Sequence, residues 1–68
     1  MKYAVVYEKT DNNYAAYVPD LPGCIATGKT RGDVERLIRE AIAFHIEGLR
    51  QQGEAGPQPV TWAELVDV

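Results

Sequence analysis

Tyr14-Ala-Ala-Tyr-Val-Pro-Asp-Leu-Pro-Gly-Cys-Ile-Ala-Thr-Gly-Lys-Thr30 is the stretch that decides the fold. Tyr14 to Val18 is rich in strand formers and follows a polar turn. Pro19 stops that strand, because proline has no N–H to donate to a ladder. Pro19, Asp20, Leu21, Pro22 and Gly23 then make a stiff corner. Each proline fixes its own φ and pushes its predecessor towards extended backbone, while Gly23 permits a positive φ. Cys24 to Thr27 reads as a further short strand, which Gly28 breaks, and Thr30 opens a helix.

Upstream, Lys2 to Lys9 reads as the first strand, with Tyr3, Val5 and Tyr7 on one face and Ala4, Val6 and Glu8 on the other. Thr10-Asp-Asn-Asn13 is a polar turn of Asx type, so a hairpin to Tyr14–Val18 is expected. Tyr14, Ala16 and Val18 share one face of that second strand, opposite Ala15 and Tyr17.

Downstream, the helix is expected from Arg31 to about Gln52. Thr30 is a good N-cap residue, and Asp33 and Glu35 place negative charge near the positive end of the helix dipole. Val34, Leu37, Ile38, Ala41, Ile42, His45 and Leu49 recur at helical spacing and form one largely apolar stripe. Gly53 suits the residue after the helix, and Pro57 and Pro59 forbid continuation. Val60 to Val68 alternates in part and is expected to be a final strand. The expected fold is α+β: a single small domain in the order β-β-β-α-β, with the helix packed on one face of a mostly antiparallel sheet.

One helix covers only one face of such a sheet, so an apolar face is left over and association is expected. Small side chains let a helix approach closely, which favours Ala4, Val6, Ala15 and Tyr17 beneath it. That choice leaves Tyr3, Val5, Tyr7, Tyr14, Ala16 and Val18 as the expected interface of a homodimer or tetramer, because tyrosine suits interfaces.

Sixty-eight residues make one domain, which buries only about 60% of the surface its unfolded chain exposes. Its expected stability is about 3–5 kcal/mol without staples or partners. One cysteine excludes an intrachain disulfide and suits a reducing cytosol. Neither a signal peptide nor a span-length apolar run is evident, so a cytoplasmic protein is expected. The net charge of −3 and the lack of a basic run disfavour nucleic-acid binding and favour a basic protein partner.

Three patterns invite a chemical reading. Cys24 and His45 are the lone thiol and imidazole. A Cys/His pair is a nucleophile–base combination, but His45 lies on the apolar stripe and Cys24 follows a tight corner, so packing is the plainer reading. Two ligands are also too few for a metal. Glu8, Glu40 or Glu47, and Asp67 are the acids from which a two-metal nuclease would be built; the plainer reading is solvated charge, with Arg36 and Glu40 as an i, i+4 pair. Gly23 to Thr30 fits G-x-x-x-x-G-K-T, yet a phosphate loop holds no strand, whereas Cys24-Ile-Ala-Thr27 is strand-like.

These pieces together resemble the HicB antitoxin family. The resemblance is carried by Met1-Lys-Tyr-Ala-Val-Val6, by Tyr14-Ala-Ala-Tyr-Val-Pro-Asp-Leu-Pro-Gly-Cys24, by Gly28-Lys-Thr30, and by Ala41-Ile-Ala-Phe-His-Ile-Glu-Gly-Leu49 leading to Gly53 and the prolines. It implies a partial ribonuclease H fold with no nuclease site, and hence no catalytic residues, no cofactor and no metal. It also implies a partner: a HicA-type toxin, a small basic ribonuclease that degrades mRNA using a histidine and is blocked by its antitoxin. Many relatives carry a further DNA-binding domain; residues 1–68 are expected to be the antitoxin domain without one. A residual metal-dependent nuclease and a free-standing binding or assembly module are the alternatives from other classes. The Pro19, Asp20, Pro22, Gly23 and Cys24 corner is expected to be structural.

Overall fold

The computed structural model describes residues 1–68. Strands β1 (Val6–Lys9), β2 (Tyr14–Tyr17) and β3 (Ile25–Gly28) form one antiparallel sheet in the order β1-β2-β3, followed by helix α1 (Arg31–Gln51). The α+β arrangement is the one expected. The turn between β1 and β2 is closed by Thr10, whose N–H donates to the Asn13 carbonyl at 2.9 Å and whose hydroxyl accepts the Asn13 N–H at 3.1 Å. Such local side-chain bonding is what makes Thr and Asn effective turn residues.

In the corner, the Leu21 N–H donates to the Val18 carbonyl, the Cys24 N–H to the Leu21 carbonyl, and the Val18 N–H to the Cys24 carbonyl, all within 3.1 Å. Gly23 takes a φ of +83°, a conformation that costs glycine nothing. These bonds aim Leu21 inward, where it is fully buried.

Thr30 caps α1, its hydroxyl accepting the Asp33 N–H at 3.1 Å. At the other end Gly53, with φ +76°, donates to the Arg50 carbonyl and Glu54 donates to that of Leu49. That pair of bonds is a Schellman motif, which satisfies carbonyls the helix leaves over.

The core consists of Ala16, Val18, Leu21, Cys24, Val34 and Ile38, with Tyr3, Val5, Tyr14, Ala26, Ala41, Ile42 and Ile46 packed against it. The helix therefore covers the face of Tyr14, Ala16 and Val18, and the expectation that Ala4, Val6, Ala15 and Tyr17 lie beneath it is corrected. The reason is local. Ala16 pairs with Ala26 directly under the helix, so the small side chains that admit it sit within the tyrosine face, and the tyrosines flank them. Ala16 and Val18 are each 2% exposed within the single chain, which removes them from any open interface.

The expected fourth strand is also corrected. Residues 60–68 form no ladder, and the sheet has three strands. A strand needs a partner for its backbone groups, and this segment finds one only at its root.

Candidate protein-binding surface

The root of the C-terminal segment is built by the corner. The half-buried Asp20 accepts the N–H groups of Val60 and Thr61 on Oδ2, both at 3.0 Å, and the Thr61 hydroxyl on Oδ1 at 2.8 Å. The Thr61 hydroxyl bond is the main cause that holds the Asp20 carboxyl below its ordinary value; partial desolvation opposes it, and the two backbone bonds reinforce it. Tyr3 adds a second tie, its hydroxyl donating to the Pro57 carbonyl at 2.6 Å. Gly56 lies between these contacts: a Cβ there would come within 2.9 Å of Ile46 Cδ1 and 3.0 Å of the Tyr3 hydroxyl. The sequence marked Asp20 only as part of a stiff corner. The apolar stripe and turn chemistry are local signals, whereas this clasp joins residues 40 apart.

Beyond the clasp, Thr61, Trp62 and Ala63 share a groove with Lys2–Val5, and the rest of the segment stands exposed. Trp62 is 83% exposed, and Leu65 and Val68 are fully exposed. Two further apolar areas face solvent. Val6 pairs with Tyr17, and Tyr17 with Ile25, on the sheet face away from the helix. Around the edge of β3, Ile25, Ala26, Leu37, Ala41 and Phe44, together with Thr27 and Glu40, line a shallow groove of about 440 Å³, in which Phe44 is 83% exposed and Ile25 67%. A smaller cleft of about 320 Å³ between β1 and the helix start is lined by Tyr7, Glu8, Lys9, Tyr14, Arg31, Val34 and Glu35. Its mixed charges give it no single ligand character.

The chemical candidates disperse. Cys24 is 3% exposed, and burial pushes its thiol above the ordinary value, which makes the nucleophilic thiolate scarcer. His45 is partly buried on α1. No three His, Cys, Asp or Glu side chains gather where they would hold a metal ion. Glu8 lies exposed on β1, Glu40 and Glu47 exposed on α1, and Asp67 exposed in the C-terminal segment. Glu40 meets Arg36 at 3.5 Å on the surface, the expected i, i+4 pair. Strand β3 occupies Ile25–Gly28 inside the G-x-x-x-x-G-K-T match, so no phosphate loop forms there. Gly28 has a packing reason instead: a Cβ would lie 2.9 Å from the Val34 nitrogen.

What the fold and surface define is a small α+β domain with one helix-covered sheet face, one open face that carries Val6, Tyr17 and Ile25 beside Glu8 and Thr27, and an exposed, largely apolar arm. Within that class, the chain belongs to the HicB-like antitoxins of bacterial toxin–antitoxin systems, whose family profile matches residues 3–68. A 14.9 kDa protein from the rep–hol intergenic region of Haemophilus phage HP1 is 40% identical over 58 residues, covering 85% of this chain and 44% of that protein. The chain thus spans less than half of that relative. A UPF0150 protein of Thermoplasma acidophilum is 42% identical over 59 residues, covering 85% of this chain and 86% of that one. A UPF0150 protein of Helicobacter pylori is 43% identical over 44 residues, 65% of this chain and 61% of its own. No solved structure shows a significant match.

Proposed function

We propose that this protein is the antitoxin of a type II toxin–antitoxin pair and acts without catalysis, by binding a HicA-type mRNA-cleaving toxin and masking its RNA-cleaving surface. The observation that carries this reading is the family match over residues 3–68. The net charge of −3 supports it, because it attracts a basic partner at long range. Self-association belongs to the same reading, because the helix leaves one sheet face open. No helix is long and apolar enough to cross a membrane, and the working compartment proposed is the cytoplasm.

The test is to search the reading frames flanking this gene for a short basic protein with a lone histidine and to co-express the two. Co-purification of the two, with recovery of growth that the basic protein alone arrests, is the expected outcome. Failure of both binding and rescue overturns the reading. The purified chain is also expected to leave RNA, DNA and hybrid substrates intact with Mg²⁺ or Mn²⁺; cleavage that disappears on Glu8→Gln or Asp67→Asn would restore the nuclease alternative.

A further inference from the structure

The segment from Trp62 to Val68 is apolar on both of its alternating sides. Trp62, Val66 and Val68 fall on one side with Glu64, and Ala63 and Leu65 on the other with Asp67. Strands patterned this way are usually covered on both faces, yet this one carries no ladder bond and is exposed throughout. The molecule is correspondingly drawn out. Its radius of gyration is 13.1 Å, against about 11 Å for a compact chain of this length.

The sheet offers two edges, and they are not equivalent. β1 carries Glu8 and Lys9, the kind of charges that discourage strand addition, and its approach is shared with Thr61–Ala63. β3 reads Ile-Ala-Thr-Gly, with no charge and no proline, and its outer backbone groups have no strand beside them. The groove of Ile25, Leu37, Ala41 and Phe44 adjoins that edge, with Glu40 and Thr27 also in its lining. An uncharged edge strand beside a mostly apolar groove is the arrangement used for strand addition, where backbone bonds give affinity and the groove takes side chains.

Symmetry connects the arm to that edge. If two copies pack their open faces together about a two-fold axis parallel to the strands, the order β1-β2-β3 of one runs opposite to that of the other. The β1 side of each copy, from which its arm departs, then lies over the β3 edge of its partner. The separation is the spacing of packed sheets, about 10 Å, and seven extended residues span about 23 Å. The open face alone is too small for a stable contact, which takes about 20–30 residues a side; the arm enlarges it.

We propose that two copies of this chain pair open face to open face and exchange their C-terminal arms, each arm adding as a strand to the partner's β3 with its apolar side chains between Ile25 and Phe44. This rests on the self-association included in the functional reading and names its surface. It requires no toxin, so its failure is separable from that of the antitoxin role.

The test uses the full chain alone. Trp62 is the single tryptophan, so its emission and acrylamide quenching report the arm directly. Sedimentation equilibrium across the micromolar range is expected to show a dimer. Dilution should dissociate it, with a red shift of Trp62 emission over the same range. Leu65→Asp and Phe44→Glu change exposed side chains on the two halves of the contact. Each is expected to weaken association at least tenfold while retaining the helical circular dichroism of the parent. A monomer at all concentrations overturns the proposal. So does a dimer in which Trp62 stays fully quenchable, or one that neither variant weakens. Protection of Trp62 only after addition of the basic protein would make the toxin the arm's occupant and equally overturn it.

Discussion

Asp20 uses both carboxylate oxygens on one short segment, and its effects are separable from those of the core. Asp20→Ala removes all three acceptor contacts to Val60 and Thr61. Amide exchange at those two residues is expected to accelerate on the order of tenfold or more, because local opening sets exchange there. Helix amides such as that of Ile38 should be little affected. Acid acts on the same contact. The folded-state value of Asp20 is depressed, so its contribution is complete above the ordinary carboxylate value of about 3.9 and is lost as pH falls through the lower folded value. Exchange-protected Val60 and Thr61 amides at pH 6 that open progressively below about pH 4 would bear this out. The proline-bounded corner was legible from residue types alone. The carboxylate's partner was not, since nothing in a local pattern indicates which distant N–H groups it meets.

At the scale of the element, the helix was the most readable part of the chain, because cap, stripe and terminal glycine all report on the same object. Ile38 is fully buried at the centre of the stripe. Ile38→Ala should lower stability by about 2–5 kcal/mol, comparable with the about 3–5 kcal/mol expected of the whole domain, so urea denaturation should find it largely unfolded. Thr30→Ala removes a cap bond and should lower the urea midpoint by the equivalent of about 1 kcal/mol. Gly28→Ala meets backbone rather than a mobile side chain and should destabilise more than its size suggests. The last strand was misread for a physical reason. Alternation shows that a segment is suited to a sheet, but it does not supply an edge to join.

For the molecule as a whole, the strand pattern showed that both faces were apolar but not which one the helix takes. That choice turns on Ala16 and Ala26 being opposite each other, a register that appears only once β3 is paired. Cys24 offers a global readout of the assembled body. It is the single cysteine, and it is buried beside Leu21 and Val18 in the core. A thiol reagent should therefore react negligibly with the native chain. In urea its rate should rise in parallel with loss of helical signal, and substantial labelling before that loss would show that the corner opens independently of the core.

The tie between Asp20 and Val60–Thr61 also bears on the order of folding. It closes a separation of 40 residues, whereas the hairpin and the helix are made from neighbours. Local elements form in about 0.1–10 μs, and distant contacts follow once the intervening chain is placed. The tie is thus among the last native contacts made and the first lost. Asp20→Ala should then leave the refolding rate nearly unchanged and raise the unfolding rate, the pattern of a contact absent from the transition state. Stopped-flow denaturant jumps resolve the two limbs; slowed refolding would instead place the corner and the arm's root together in the folding nucleus.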